Sequence, residues 1–137
     1  MKLETKIFAD GADLHSIKEL NNNPIVKGFT TNPSLMKKAG VEDYEFFAKE
    51  VLEIIGNKPI SFEVFSDDLN EMYDQALKIA SWGENIYVKI PITNTKAESS
   101  VELINSLSED GVKINVTAMM TVEQVKSVLP GLSKGPG

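Results

Sequence analysis

A short stretch of the chain reads Asn85-Ile86-Tyr87-Val88-Lys89-Ile90-Pro91-Ile92-Thr93, an apolar strand with a lysine near its centre. Because side chains alternate along a strand, the isoleucines and Val88 share one face and Lys89 points the other way. Removing an ammonium from water favours the neutral amine, which is a nucleophile that can form a Schiff base with a carbonyl. The stretch therefore predicts either a reactive lysine in a cavity or an edge strand whose lysine lies in solvent.

The same kind of strand pattern occurs five times along the chain, and a helical pattern follows each one. The predicted strands are Lys6–Asp10, Ile25–Thr31, Ile60–Phe65, Ile86–Ile92 and Lys113–Met119. Repeated βα units imply a parallel sheet with right-handed crossovers.

Polar capping residues mark where several of the predicted helices begin. They are Asp13, Asn32 before Pro33, Asp68 and Thr121. Glu71 and Gln124 follow the last two caps at the spacing of a capping box. The acid pair Asp67-Asp68 also resembles a metal ligand set, but a helix cap is the better interpretation.

One face of each predicted strand is apolar, and the other face carries polar residues near the C-terminal end. These residues are Asp10, Asn32, Glu63, Lys89, Asn115 and Thr117. Strands of an open parallel sheet are usually apolar on both faces, whereas catalytic groups of a (β/α)8 barrel come from the C-terminal ends of its strands. We therefore predict an α/β fold of (β/α)8 TIM-barrel type with these residues around one pocket, although any one of them could simply face water.

Composition restricts the function classes. The 137 residues are 42% apolar and 25% charged, which is typical of one globular domain, here residues 1–137. A net charge of −6 without a basic cluster argues against nucleic-acid binding. The lack of cysteine excludes disulfides and thiolate chemistry, and His15, the single histidine, cannot build a metal site alone. Because no apolar stretch approaches about 20 residues, we expect no membrane contact and a cytoplasmic location.

Five segments, in family order, resemble the transaldolase family and specifically its short subfamily, which includes the fructose-6-phosphate aldolases. The segments are Phe8-Ala9-Asp10-Gly11-Ala12-Asp13, Lys27-Gly28-Phe29-Thr30-Thr31-Asn32-Pro33-Ser34-Leu35, Glu63 in its strand, Tyr87-Val88-Lys89-Ile90-Pro91 and Ile114-Asn115-Val116-Thr117. The resemblance implies a class I Schiff-base aldolase barrel that needs no metal or organic cofactor.

The resemblance also implies the two central roles. Lys89 would form an imine with C2 of a ketose phosphate, and Asp10 would take the proton from the C4 hydroxyl so that the C3–C4 bond breaks. The retained dihydroxyacetone unit would pass to an aldose phosphate. This is the reaction of a transaldolase in the pentose phosphate pathway, with sugar phosphates as the expected partners.

The remaining roles implied by the resemblance concern water and substrate hydroxyls. Glu63 and Thr117 would position a water that moves protons, and Asn32, Asn115 and Thr30 would bind the substrate. Related aldolases carry glutamine where this chain has Glu63, so the acid favours transfer over simple cleavage.

The chain supplies five βα units where a closed barrel needs eight. The phosphate-binding serine and arginine of the family would lie beyond Gly137. We therefore expect a fragment of a longer, homo-oligomeric enzyme, and a poor enzyme when alone.

Three alternatives stay open. The first is a C–C lyase of the fructose-6-phosphate aldolase type, and the second is an inactive remnant of the family. The third is a complete five-stranded binding module of flavodoxin-like order, which length and strand count favour. Such a module predicts strands that are apolar on both faces, and Glu63 and Lys89 count against it.

Overall fold

Five parallel strands alternate with six helices in the computed structural model, which describes residues 4–136. The strands are β1 (Ile7–Asp10), β2 (Val26–Thr30), β3 (Ile60–Glu63), β4 (Ile86–Pro91) and β5 (Ile114–Thr117). The helices are α1 (Leu14–Asn21), α2 (Pro33–Lys38), α3 (Tyr44–Ile55), α4 (Leu69–Ala80), α5 (Val101–Glu109) and α6 (Val122–Leu132).

The strand order in the sheet is the order in the chain, β1-β2-β3-β4-β5, and each neighbouring pair is parallel. A flavodoxin-like module reverses direction at a switch point and has the order 2-1-3-4-5, so that alternative is wrong. Successive addition on one side instead curls the sheet into a half-barrel with the helices outside. The predicted fold, five βα units of the (β/α)8 barrel type, is confirmed.

The apolar core lies between the convex face of the sheet and the helices. Phe62, Val88 and Ile90 are fully buried on that face, as are Val51 of α3 and Ile104 of α5. Burial of side chains of this size contributes roughly 1.5–3 kcal/mol each. The outer face of the half-barrel therefore provides most of the stability, which leaves the inner face free to carry polar groups.

Helix caps follow the sequence prediction closely. Asp13, Asn32, Asp68 and Thr121 each accept a backbone N–H of the first helical turn. The reciprocal capping box is confirmed at Thr121 and Gln124.

The second predicted capping box, between Asp68 and Glu71, forms only in half: Asp68 Oδ1 accepts the Glu71 N–H at 3.1 Å, but the reciprocal bond from the Asp68 N–H to the Glu71 carboxylate is not made. The Asp68 N–H donates instead to the Ser66 hydroxyl at 3.0 Å, and that hydroxyl donates to the Glu71 carboxylate at 2.6 Å. The Ser66 hydroxyl therefore bridges the Asp68 N–H and the Glu71 carboxylate, which replaces the direct hydrogen bond between them.

Two local conformations shape the sheet. β5 ends two residues earlier than predicted because Ala118 has a positive φ of 60°, which interrupts extended pairing. On the inner face, the Phe8 ring covers Gly28, where a Cβ atom would lie 2.3 Å from the ring. Glycine is therefore required at position 28 by close approach.

Parts of the surface are apolar. Ile7 and Phe8 of β1 are 40% and 43% exposed, and Val122 and Leu129 of α6 are also exposed. Within residues 4–136, we find no helix with both the length and the apolar character needed to cross a bilayer.

Candidate active site

Lys89 lies on the concave face of β4, which is an interior strand between β3 and β5. Its side chain is 14% exposed. The alternative of an edge strand with a solvated lysine is therefore wrong. In the two ladders, Lys89 is in register with Glu63 of β3 and with Asn115 of β5.

Two oxygen atoms contact the Lys89 amine. Its Nζ lies 3.6 Å from Oε2 of Glu63, whose side chain is 26% exposed. The same nitrogen donates a hydrogen bond to the Thr31 carbonyl oxygen at 3.3 Å. A largely enclosed amine with a carboxylate oxygen 3.6 Å away is an arrangement in which a lysine can act as a nucleophile, and one water can carry a proton between the two groups.

Asp10 and Thr30 form a second pair at the C-terminal ends of β1 and β2, where they are in register. The Thr30 hydroxyl donates to Oδ1 of Asp10 at 2.8 Å. Asp10 is exposed on this open side. The hydrogen bond orients the carboxylate while its second oxygen, Oδ2, remains available as a base.

Asn115 and Thr117 belong to β5. The Asn115 amide nitrogen donates to the Ser61 hydroxyl at 3.2 Å across the intervening strand. Thr117 lies two residues further along the same face, in register with Pro91. The strand alternation therefore places Asn115 and Thr117 on the concave face with Lys89.

Asn32 has a structural task in addition to its predicted one. Its Oδ1 accepts the Leu35 N–H at 2.9 Å and caps α2. The cap uses the amide oxygen of Asn32, so the Nδ2 group can still donate to a substrate oxygen.

A cavity of about 730 Å³ lies nearer the N-terminal ends of the strands; it shares Asn115 with the candidate site, but Lys89, Glu63 and Asp10 do not line it. Its walls include Phe8, Ser61, Tyr87, Asn115 and Met119. Within residues 4–136, no group of three or more histidine, aspartate or glutamate side chains could hold a metal ion.

Three contributors to the site were missed by sequence reasoning. Ser61 has the parity of the polar face, which was a usable signal. The Thr31 carbonyl has no sequence signal, because every residue has one. Tyr44 of α3 donates its hydroxyl to the Glu63 carbonyl at 3.0 Å, and no local pattern in the sequence indicates this contact between a helix and a strand end.

These polar groups lie at the carboxyl ends of successive parallel strands, on the concave face of a curled βα sheet, which is where (β/α) barrel enzymes carry their active sites. The family described as Transaldolase/Fructose-6-phosphate aldolase matches residues 7–130, and the chain belongs to that family. The predicted resemblance is thus confirmed.

Curated relatives agree. The chain is 36% identical over 119 residues to a probable transaldolase of Dehalococcoides mccartyi, covering 87% of this chain and 53% of the relative. It is 40% identical, with the same coverage, to a probable transaldolase of Streptococcus equi subsp. zooepidemicus. A probable transaldolase of Streptococcus agalactiae serotype V is 38% identical over 124 residues, which are 90% of this chain and 55% of the relative. The chain therefore spans about half the length of the curated relatives it matches.

Proposed function

We propose that the whole protein is a transaldolase that moves a dihydroxyacetone unit from a ketose phosphate to an aldose phosphate through a Schiff base on Lys89. The observation that carries the proposal is the enclosed Lys89 amine of an interior strand, with the Glu63 carboxylate 3.6 Å away. A lysine of this kind supplies an electron sink as an iminium and needs no other cofactor.

The first half of the proposed reaction loads the lysine. The Lys89 amine adds to the C2 carbonyl of fructose 6-phosphate, and loss of water gives the iminium. Glu63 accepts the proton released by the amine through a water that Glu63 and Thr117 position. Asp10 removes the C4 hydroxyl proton, and the C3–C4 bond breaks. Its electron pair passes into the iminium to form an enamine, and glyceraldehyde 3-phosphate leaves.

The second half reverses these steps on a new acceptor. The enamine carbon attacks the aldehyde of erythrose 4-phosphate, and Asp10 returns its proton to the new C4 oxygen. Water then hydrolyses the iminium, which releases sedoheptulose 7-phosphate and the free amine. Asn32 and Asn115 bind the hydroxyls of the three-carbon unit, while Thr30 acts through its hydrogen bond to Asp10.

A C–C lyase that releases free dihydroxyacetone is the second candidate, because the family description names both activities. Release requires water to reach the enamine or iminium before an acceptor does. The carboxylate of Glu63 in contact with the amine supports transfer as the main reaction.

Reductive trapping tests the proposal. The chain is incubated with fructose 6-phosphate, reduced with borohydride and examined by peptide mass spectrometry. We expect a three-carbon adduct on the peptide that contains Lys89. Lys89→Met should abolish the adduct, whereas Lys27→Met, a matched change at an exposed lysine of β2, should retain it.

The trapping experiment needs a second arm, because the chain supplies five of the eight βα units of a closed barrel. The same assay is run on the chain fused to the C-terminal portion of the Streptococcus agalactiae relative. A folded chain that forms no adduct in either form, or an adduct that persists in Lys89→Met, would contradict the proposal.

A further inference from the structure

Tyr44 stands outside the barrel, yet its hydroxyl contacts the strand that carries Glu63. The Tyr44 hydroxyl donates to the backbone carbonyl oxygen of Glu63 at 3.0 Å. Tyr44 is the first residue of α3, and Glu63 is the last residue of β3. This contact therefore joins the convex helical layer to the last residue of the strand, whose side chain faces Lys89.

The Glu63 carbonyl needs such a donor because the regular ladder fails at this position. β3 accepts from β2 through alternate residues: the Phe29 N–H donates to the Pro59 carbonyl at 2.9 Å, and the Thr31 N–H to the Ser61 carbonyl at 3.1 Å. The next donor in this series would be residue 33, which is a proline without an N–H. Tyr44 thus replaces the hydrogen bond that Pro33 cannot make.

The Tyr44 ring is held in place by other aromatic side chains. Its centroid lies 4.4 Å from Phe65, 5.4 Å from Trp82 and 5.7 Å from Phe62, each in an edge-to-face arrangement. Such pairs fix the direction of a ring beyond what burial alone does. The hydroxyl is therefore preorganised to meet the strand end.

Burial raises the pKa of the Tyr44 phenol well above its usual range. The hydroxyl consequently keeps its proton, and remains a donor, throughout the pH range in which enzymes of this kind are assayed.

We propose that Tyr44 is a positioning residue for Glu63: by completing the β3 ladder where Pro33 cannot, it holds the Glu63 carboxylate against the Lys89 amine. The inference rests on the proposed function in that it names what aligns the proton acceptor during imine formation. Tyr44 is not among the polar partners of the Lys89 amine and acts through the backbone of Glu63.

The first measurement needs no catalysis. The Val64 N–H, next in the chain after Glu63, donates to the Lys89 carbonyl at 3.3 Å and reports whether the end of β3 stays paired. In Tyr44→Phe, amide hydrogen exchange at Val64 should become about tenfold faster. The control is Tyr73→Phe, a change on α4 that removes a hydroxyl donating to Asp110 at 2.6 Å. In this variant, exchange at Val64 should be unchanged.

The second measurement couples Tyr44 to Glu63. Tyr44→Phe should slow reductive trapping at Lys89 about tenfold. In a Glu63→Gln background the same change should slow trapping by less than about twofold, because the carboxylate it positions is gone. A merely structural role would slow trapping equally in both backgrounds.

The outcomes separate the two proposals. Unchanged Val64 exchange in Tyr44→Phe, or equal effects of that change with and without the Glu63 carboxylate, would overturn the positioning role. If neither the folded wild-type chain nor its fused form gives an adduct, the Schiff-base function is overturned instead, whatever Val64 exchange shows.

Discussion

Lys89 and Glu63 lie directly opposite each other in the β3–β4 ladder, and their charged groups are 3.6 Å apart on the concave face. Residues in register on neighbouring strands, which lie about 4.8 Å apart, place their side chains next to each other on the same face of the sheet. Since both side chains are mostly enclosed, bulk water screens the attraction between the two groups less than it would at the surface.

Replacing Glu63 by glutamine should therefore slow transfer. The amide keeps the size of the side chain but cannot accept the proton released as the amine attacks, so we expect trapping at Lys89 to fall about tenfold. Glu45→Gln is the matched control, because the Glu45 carboxylate on α3 pairs with Lys49 of the same helix and Lys78 of α4, away from Lys89. Equal trapping rates in Glu63→Gln and the wild type would contradict a proton-transfer role.

Thr30→Val should reduce turnover while leaving substrate affinity nearly unchanged. Valine has the shape of threonine without the hydroxyl that orients Asp10, so kcat should fall by about fivefold to tenfold in the fused form. Thr95→Val is a close control, since Thr95 donates to Asp67 at 2.6 Å in the same manner. Steady-state kinetics with fructose 6-phosphate and erythrose 4-phosphate measure both variants. A rise in KM alone would assign Thr30 to substrate binding instead.

Gly28→Ala should destabilise the fold. The added methyl would meet the Phe8 ring at 2.3 Å and the Pro59 carbonyl at 2.7 Å, and overpacking of this kind costs about 1–3 kcal/mol. Gly11→Ala, where nothing lies within 4 Å of the new Cβ, should change the free energy of unfolding by less than about 0.5 kcal/mol.

Urea unfolding measures both glycine variants. Because most of the clash is with a side chain, Phe8→Leu should restore part of the stability lost in Gly28→Ala. A Gly28→Ala protein as stable as the wild type would show that β1 moves freely relative to β2.

Acid stability should depend on Asp67. Hydrogen bonds from the Thr95 hydroxyl and N–H lower the pKa of the Asp67 carboxyl in the folded protein. A lowered folded-state pKa means that the stabilisation is present above about pH 4, the unfolded value, and is lost as the pH falls through the lowered value. The group is exposed, so the effect is small.

Asp67→Asn should therefore flatten the decline of the urea midpoint below about pH 4 and lower the midpoint slightly at pH 7. Thr95→Val should have part of the same effect, because the Thr95 N–H still donates to Asp67. Identical midpoint-against-pH curves for Asp67→Asn and the wild type would contradict the linkage.

Local chemistry explains why much of this protein could be predicted. Alternation along β4 separates Lys89 from the apolar face whatever the sheet does elsewhere. The cap at Thr121 depends on residues three apart. The capping box predicted at Asp68 is only half formed for an equally local reason, since Ser66 competes for the same N–H.

What residue order reveals here is therefore short-range: strand faces, helix starts and the polar strand ends. Strand order, the contact of Lys89 with Glu63 and the placement of the Tyr44 hydroxyl emerged only with the folded chain. The reason is physical. The Tyr44–Glu63 contact joins residues 19 positions apart, and the Lys89–Glu63 contact joins residues 26 positions apart. They form only after the apolar faces have packed and brought the strand ends together.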